Sequence, residues 1–177
     1  ELRYDFLRDA ASKLGADKIA TAHHMNDNVE TVIMNACRGA SVKGMCGIPP
    51  VRDEFIRPLI DTSRCEIEKY AGEHGLAYAT DATNFELCCR RNAVRLQLLP
   101  EMRKLYPDVD MLLNRFSAVA RLYNQAVQCQ AQTLVSTCDI KNGEVTVNAA
   151  DLTAADEAVA ARAFELLCRI AGADSML

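Results

Sequence analysis

The sequence predicts an α/β protein: a parallel sheet with crossing helices, followed by a mainly helical region. Three observations carry this. A short run of β-branched and small residues, Lys18 to Ala22, stands between two segments of helical spacing, the αβα rhythm of a parallel sheet. Strand-like signals return at Phe55–Leu59 and Leu76–Ala79, then stop near residue 80 except for one brief strand late in the chain. From Asp108 to about Val135, apolar residues recur at intervals of three and four, the pattern of one long helix.

The first helix spans Glu1 to Leu14, with Leu2, Phe6, Leu7 and Ala10 on one side and Gly15 closing it. The strand Lys18–Ala22 ends at His23-His24, and a helix follows at once, from about Asn26 to Arg38. At about 100° per residue, Val29, Val32, Ile33 and Ala36 form its apolar face. His24, Asp27, Thr31 and Arg38 fall opposite. An imidazole, a carboxylate and a guanidinium thus gather just past the carboxyl end of a strand, where open α/β sheets bind ligands. A glycine-punctuated loop, Arg38 to Gly44, adds a second cation, Lys43.

Gly47 to Val51, with Pro49 and Pro50, reads as a rigid turn, and Pro58 places the strand Phe55–Leu59 at a sheet edge or makes it end there. Ser63-x-x-Glu66 is a capping box, opening a helix with Ile67, Tyr70, Ala71 and His74 inward and Gly75 at its end. Leu76–Ala79 is a short strand leading into the polar loop Thr80–Asn84. Between Cys89 and Leu98, Arg91 and Arg95 share a stripe with Val94 and Leu98. An arginine on a buried face needs an anionic partner or a ligand. Pro100 marks a new helix start.

A domain boundary is expected near Leu105 to Asp108, dividing the chain into 1–106 and 107–177. In the second part, Leu112, Phe116, Val119, Tyr123, Ala126, Gln130 and Leu134 form a helix-packing seam. Asn142-Gly143 turns into a strand, Glu144–Val147, and Thr153 caps a last helix with Val159, Ala163, Leu166 and Ile170 inside.

Half of the 177 residues are hydrophobic and the net charge is −4, so no global basic field attracts nucleic acid. Any RNA contact rests on a local patch, and Arg90, Arg91, Arg95, Arg103 and Lys104 supply one within residues 84–104. No apolar run is long enough to span a membrane, and no secretory segment opens the chain, so a cytoplasmic location is expected. The eight cysteines form no C-x-x-C pair. They read as small apolar residues of a reducing compartment, with no metal among them and at most one disulfide.

Four blocks then stand in order: His24-x-x-Asp27-x-x-Glu30-Thr31 with Arg38-Gly39; Ile56-Arg57-Pro58-Leu59; Asp81-x-x-Asn84; and Arg91-Asn92-x-x-Arg95 with Leu99-Pro100. Covering about residues 18–105, they resemble the PP-loop ATP pyrophosphatases that act on tRNA, and among these the tRNA(Ile)-lysidine synthetase family. The first block alone is shared with tRNA thiolases of the same superfamily. The resemblance implies the C-terminal part of a Rossmann-like PP-loop ATPase domain, then a helical, tRNA-associated domain. It implies a two-step ligation: ATP adenylates carbon 2 of the wobble cytidine of a minor isoleucine tRNA, and the ε-amine of L-lysine displaces AMP.

By the same resemblance Asp27, His24 and Arg95 are catalytic, and His23, Glu30, Arg38, Arg57, Arg91 and Asn92 contact ATP or tRNA. ATP and Mg2+ are the implied cofactors, with no protein-held structural metal, and a homodimer is compatible with the family. Asp27 could deprotonate lysine, hold a metal or hold an arginine; residue type leaves these open. The family's Ser-Gly-Gly-x-Asp-Ser phosphate loop is not in this sequence and is expected upstream of Glu1, so the chain is expected to be inactive alone. Two other readings compete: a PP-loop tRNA thiolase, whose cysteine chemistry Cys88-Cys89 does not match in spacing, and a non-catalytic RNA-binding module, which lacks an aromatic and basic platform here. A metal hydrolase built on His23, His24 and Asp27 has only a weak spacing signal.

Overall fold

A computed structural model describes residues 2–78, 89–141 and 144–172. The loop Thr80–Asn84, the block Asp81-x-x-Asn84, Cys88 and the turn Asn142-Gly143 lie outside the described residues. Two compact units divide the chain, residues 1–120 and 121–177.

The first unit is built on a small sheet of β1 (Ile19–Ala20), β2 (Val51–Arg52) and β3 (Phe55–Ile56), in the order β1-β3-β2. The expected parallel pair forms, with Ile19 opposite Phe55. The carbonyl of Ile56 accepts the Thr21 N–H at 2.9 Å, which extends the pairing towards the His23-His24 junction. Val51, the last residue of the predicted rigid turn, instead opens β2, which pairs antiparallel with β3 through a tight turn at Asp53, whose φ is +56°. Pro49 and Pro50 precede β2, and Pro58 stands two residues past the end of β3, so none breaks a ladder.

α1 (Leu2–Leu14) sets Tyr4 edge-on against Phe55, ring centroids 4.8 Å apart. Leu7 and Ala10 are half-buried, but Leu2 and Phe6, expected on the same inner side, are exposed. α2 (Met25–Ala36) buries Val29, Val32 and Ile33 as predicted, while Ala36 is exposed. A short α3 (Val42–Met45) follows. α4 (Arg64–Glu73) has the predicted capping box at Ser63 and Glu66. Its expected inner stripe is only half-buried at Ile67 and Ala71, and Tyr70 and His74 stack on each other in solvent, 4.0 Å apart. Leu76–Tyr78 is not a strand.

α5 (Arg90–Ala93), a π-helical turn (Val94–Leu98) and α6 (Leu99–Leu105) follow one another without a break. Pro100 therefore begins no separate helix. It has no N–H and its ring crowds the carbonyl four residues back, so the preceding turn widens and the Leu99 N–H reaches Val94. Val29, Ile33 and Leu99 make the local core, packed by Met25, Val94, Met102 and Leu113.

α7 (Val109–Ser136) runs through both units. Its buried positions in the first unit are Val109, Asn114, Ser117 and Ala120. The expected seam is displaced by about one residue, or 100° of helix: Leu112, Phe116, Val119 and Tyr123 are exposed. Large apolar side chains marked the seam in the sequence, but the face that packs holds small and polar ones.

In the second unit, Ala131 of α7 packs with Val159 and Ala163 of α9 (Glu157–Ile170). A hairpin of β4 (Asp139–Lys141) and β5 (Glu144–Thr146) and α8 (Ala149–Ala154) complete it. Two caps were expected as one: Asn148 caps α8, accepting the Ala150 N–H at 3.0 Å, and Asp156 stands at the start of α9. Thr153 lies inside α8, Leu167 takes the buried place, and Ile170 is exposed. Among the described residues no helix is long and apolar enough to cross a membrane.

Gly47 offers a test of this packing. Its φ is +63°, and a Cβ there would meet Asn28 Oδ1 at 2.1 Å. Gly75 has the same φ with open space around it. Gly75→Ala should cost about 1–2 kcal/mol, the left-handed penalty alone. Gly47→Ala should cost roughly 1–3 kcal/mol more, because it also breaks a buried hydrogen bond. Urea denaturation of both variants measures the difference.

Candidate functional site

The site begins where β1 and β3 end. His23 and His24 leave β1, and His24 takes the extended conformation (φ −124°, ψ 178°) that starts α2. The Asp27 carboxylate accepts the His24 backbone N–H at 3.1 Å, holding the first turn, where a carboxylate also suits the helix dipole. His24 Nε2 lies 3.6 Å from the same carboxylate. The neighbouring helix start is stitched on: the Thr62 carbonyl accepts the Met25 N–H at 3.0 Å, and Asn26 Oδ1 accepts the Arg64 N–H at 2.9 Å.

One turn further along α2, Glu30 is 1% exposed. Both its oxygens are taken. Arg91 Nε donates to one at 2.7 Å, and Arg95 donates to the other from Nε at 2.6 Å and to the first from Nη2 at 3.1 Å. Each arginine also places Nη2 3.4 Å from Asp27. The four side chains sum to zero charge. Hydrogen bonding to Glu30 raises the Arg95 guanidinium above its ordinary range, against the opposing effect of burial. The arginines on an apolar stripe have thus found the anionic partner that burial demands. Asp27, with longer contacts than Glu30, is the less committed carboxylate.

His23 sits beside this cluster, near enough to feel the charges of Asp27, Arg57 and Arg91. Thr21 Oγ1 lies 3.0 Å from its Nδ1, which leaves Nε2 to a ligand. Burial, the largest cause, lowers its basicity; Asp27 opposes this, while Arg57, Arg91 and Arg3 add to it. Arg57 follows β3 and is 6% exposed, donating from Nη1 to the Pro49 carbonyl at 2.7 Å. Two buried nitrogens here lack partners among the described residues, His24 Nδ1 and Arg57 Nε. Asn92 is buried on α5. Arg38 is exposed beyond the end of α2, about 16 Å along the axis from Asp27, and does not join the cluster.

An open cleft of about 510 Å³ borders the cluster, lined by His24, Asn26, Glu30, Arg64, Arg95 and Asp110 among others. The sequence reading missed Asn26 and Asn28, which flank Asp27, and Asp110, which binds Arg103 at 2.6 and 2.9 Å. The one signal for the asparagines was their place on a motif helix. The expected positive patch is largely neutralised: Arg91, Arg95 and Arg103 pair with internal carboxylates and Lys104 with Glu101. The cysteines also differ from expectation. None of the seven described is buried; all are free, and Cys37, Cys65, Cys89 and Cys129 are exposed. Among the described residues no three His, Cys, Asp or Glu side chains gather to hold a metal.

The family model described as the PP-loop domain matches residues 1–102, and the chain belongs to that family. Its similarities are more particular than the family. It is 43% identical over 135 residues to the tRNA(Ile)-lysidine synthase of Thermotoga sp. (strain RQ2), covering 76% of this chain and 33% of the relative. It is 37% identical over 158 residues to the tRNA(Ile)-lysidine synthase of Porphyromonas gingivalis (strain W83), covering 86% of this chain and 35% of the relative. The chain thus spans about a third of the length of these curated relatives. Among solved structures, the U34-tRNA thiolase NcsA from Methanococcus maripaludis with its [4Fe-4S] cluster aligns with a TM-score of 0.51 and 18% identity, over 68% of this chain and 42% of that one. That likeness concerns the fold alone.

Glu30→Gln should destabilise the protein by about 3 kcal/mol, the low end for a broken buried pair because both arginines keep some solvent access. Chemical denaturation checks this. His23 makes a pH prediction. The folded state resists its protonation, whereas the unfolded chain takes up a proton near the ordinary value of about 6.5. Its contribution is therefore fully present above that pH and is lost as pH falls below it towards the lower folded value. NMR titration of the imidazole should show the depressed midpoint, and His23→Gln should remove this part of the pH slope of stability.

Proposed function

We propose that this chain carries the lysine-transfer side of a tRNA(Ile)-lysidine synthase, a bacterial-type cytoplasmic ligase that joins L-lysine to the wobble cytidine of a minor isoleucine tRNA through an adenylated tRNA. The observation that carries this reading is the charge-balanced cluster of Asp27, Glu30, Arg91 and Arg95 at the strand ends. Its motif positions lie in a chain 43% identical to such an enzyme over 135 residues.

Each residue type has a task in that chemistry. Lysine attacks as a free amine, yet its ε-ammonium holds its proton up to about pH 10.4 in water. Asp27 is the carboxylate held more loosely, its Oδ1 3.4 Å from both arginines, so it holds the ammonium and takes the proton as the new carbon–nitrogen bond forms and the bond to the leaving phosphate oxygen breaks. Glu30, saturated by two arginines, positions them and does not act as a base. Arg95, and Arg91 beside it, bring positive charge to the departing phosphate. Burial favours the neutral imidazole of His23, whose Nδ1 lies 3.0 Å from Thr21 Oγ1. His24 and Arg57 each keep a buried nitrogen without a partner among the described residues, which fits a polar ligand at the strand ends. Asn92, buried on α5, and Arg38, exposed past the end of α2, keep the part the resemblance gives them, contact with ATP or tRNA.

ATP and Mg2+ fit this donor set in part: arginines and a helix N-terminus suit phosphates, and Asp27 is a carboxylate that a phosphate-bound Mg2+ can use. When bound, the metal supplies neutralisation of phosphate charge.

In the full-length protein, Asp27→Asn should lower the rate of lysine transfer to tRNA by about 10²-fold or more while pyrophosphate release in the adenylation step stays near normal. Radiolabelled lysine incorporation and pyrophosphate release, measured in parallel, check both halves. Lysine transfer at the wild-type rate would remove Asp27 from the site.

A further inference from the structure

The side chains that flank the cluster carry a second result. Asn28 is wholly buried, next to Asp27 in the chain. Its Oδ1 accepts the Ile48 N–H at 2.7 Å, a contact that only glycine at position 47 leaves room for. Its amide nitrogen donates to Asn114 Oδ1 at 2.7 Å and Ser117 Oγ at 2.8 Å, both on α7. Asn114 Nδ2 in turn donates to Asp61 Oδ1 at 3.0 Å. The bonds run one way, from a backbone N–H through two amides to a carboxylate. A chain of this kind is polarised along its length, and the charge at its end selects which way each amide faces.

Asp61 is also the residue before Thr62, whose carbonyl holds the first amide of α2. Asn28, Asn114, Asp61, Thr62 and Met25 thus close a ring that ties the start of α2 to the segment leading into α4, with the Ile48 amide as a branch on Asn28. We propose that Asn28, Asn114 and Asp61 are positioning residues: their directional hydrogen-bond chain sets the two helix starts that wall the cleft, and through them the place of Asp27. Asn28 fixes α2 one residue beyond Asp27, and Asp61 fixes the segment that meets Met25. A slip of α2 by a fraction of an ångström moves the Asp27 carboxylate relative to Arg91 and Arg95, and reacting groups tolerate little misplacement. This assignment extends the proposed function where it speaks of Asp27, but the hydrogen-bond chain itself is independent of it.

The test uses Asn114→Ala and Asp61→Asn in the full-length protein. Neither side chain touches the amides of Ile48 or Met25. Hydrogen exchange at these two amides should rise by about tenfold or more in Asn114→Ala, and by less in Asp61→Asn, while Ile33 inside α2 exchanges as before. The kcat for lysine transfer should fall by about tenfold in Asn114→Ala with KM for ATP little changed. Asp61 is exposed, so its variant keeps the fold and decides the matter if Asn114→Ala does not fold. Unchanged exchange at Ile48 and Met25 in both variants would overturn the proposal, as would an equal rise at Ile33, which marks general loosening. If the wild-type protein transfers no lysine but the exchange pattern holds, the positioning chain stands and the functional reading falls.

Discussion

A carboxylate with almost no access to water governs the first unit. Glu30 is charged, buried and part of the helix that follows β1, so it must be met by cations of fixed geometry. Arg91 and Arg95 arrive from 61 and 65 residues further on and take both oxygens. That demand brings the α5–α6 segment back over α2. The same arginines reach Asp27 more loosely, so one carboxylate of the motif is committed to structure and the other remains available for chemistry. A planar guanidinium with several donors suits this double duty; an ammonium would not span both carboxylates.

Behind the cluster, α7 acts as a polar backing. Asp110, Asn114 and Ser117 recur at four and three, and each meets a group on α2 or its neighbours. The buried amides are tolerated because each is hydrogen-bonded at both its oxygen and its nitrogen, and such a network specifies one register where apolar packing would allow several. The large apolar side chains of α7 in the first unit are left on the outside for the same reason: the inner positions are already occupied by hydrogen-bonded groups.

Charge follows a similar economy. The chain is acidic overall, and most cations near the site are paired internally. Among the described residues, Arg38 and Arg90 have no ion-pair partner, and Arg57 is buried against a carbonyl instead of a carboxylate. Pairing, and not the arginine count of the segment, thus decides how much positive charge the site offers to an anion.

Much of the fold and site was legible in the chain. The parallel pair, the helix at the His23-His24 junction, the Ser63 capping box and the gathering of His24 and Asp27 at a strand end follow from local rules: side-chain period, capping chemistry and strand composition. The sequence also posed the right question about Arg91 and Arg95, since an arginine on an apolar stripe must have a partner. Only the tertiary structure named that partner. It also turned the packed face of α7 by one residue, paired Val51-Arg52 as a strand, and left the cysteines and Leu2 and Phe6 in or near solvent. The physical reason is common to these cases. Periodicity reports hydrophobicity one helix at a time, whereas burial of a polar group depends on partners far away in sequence, and no local pattern records where Glu30 will find Arg91 or where Asn28 will find Asn114.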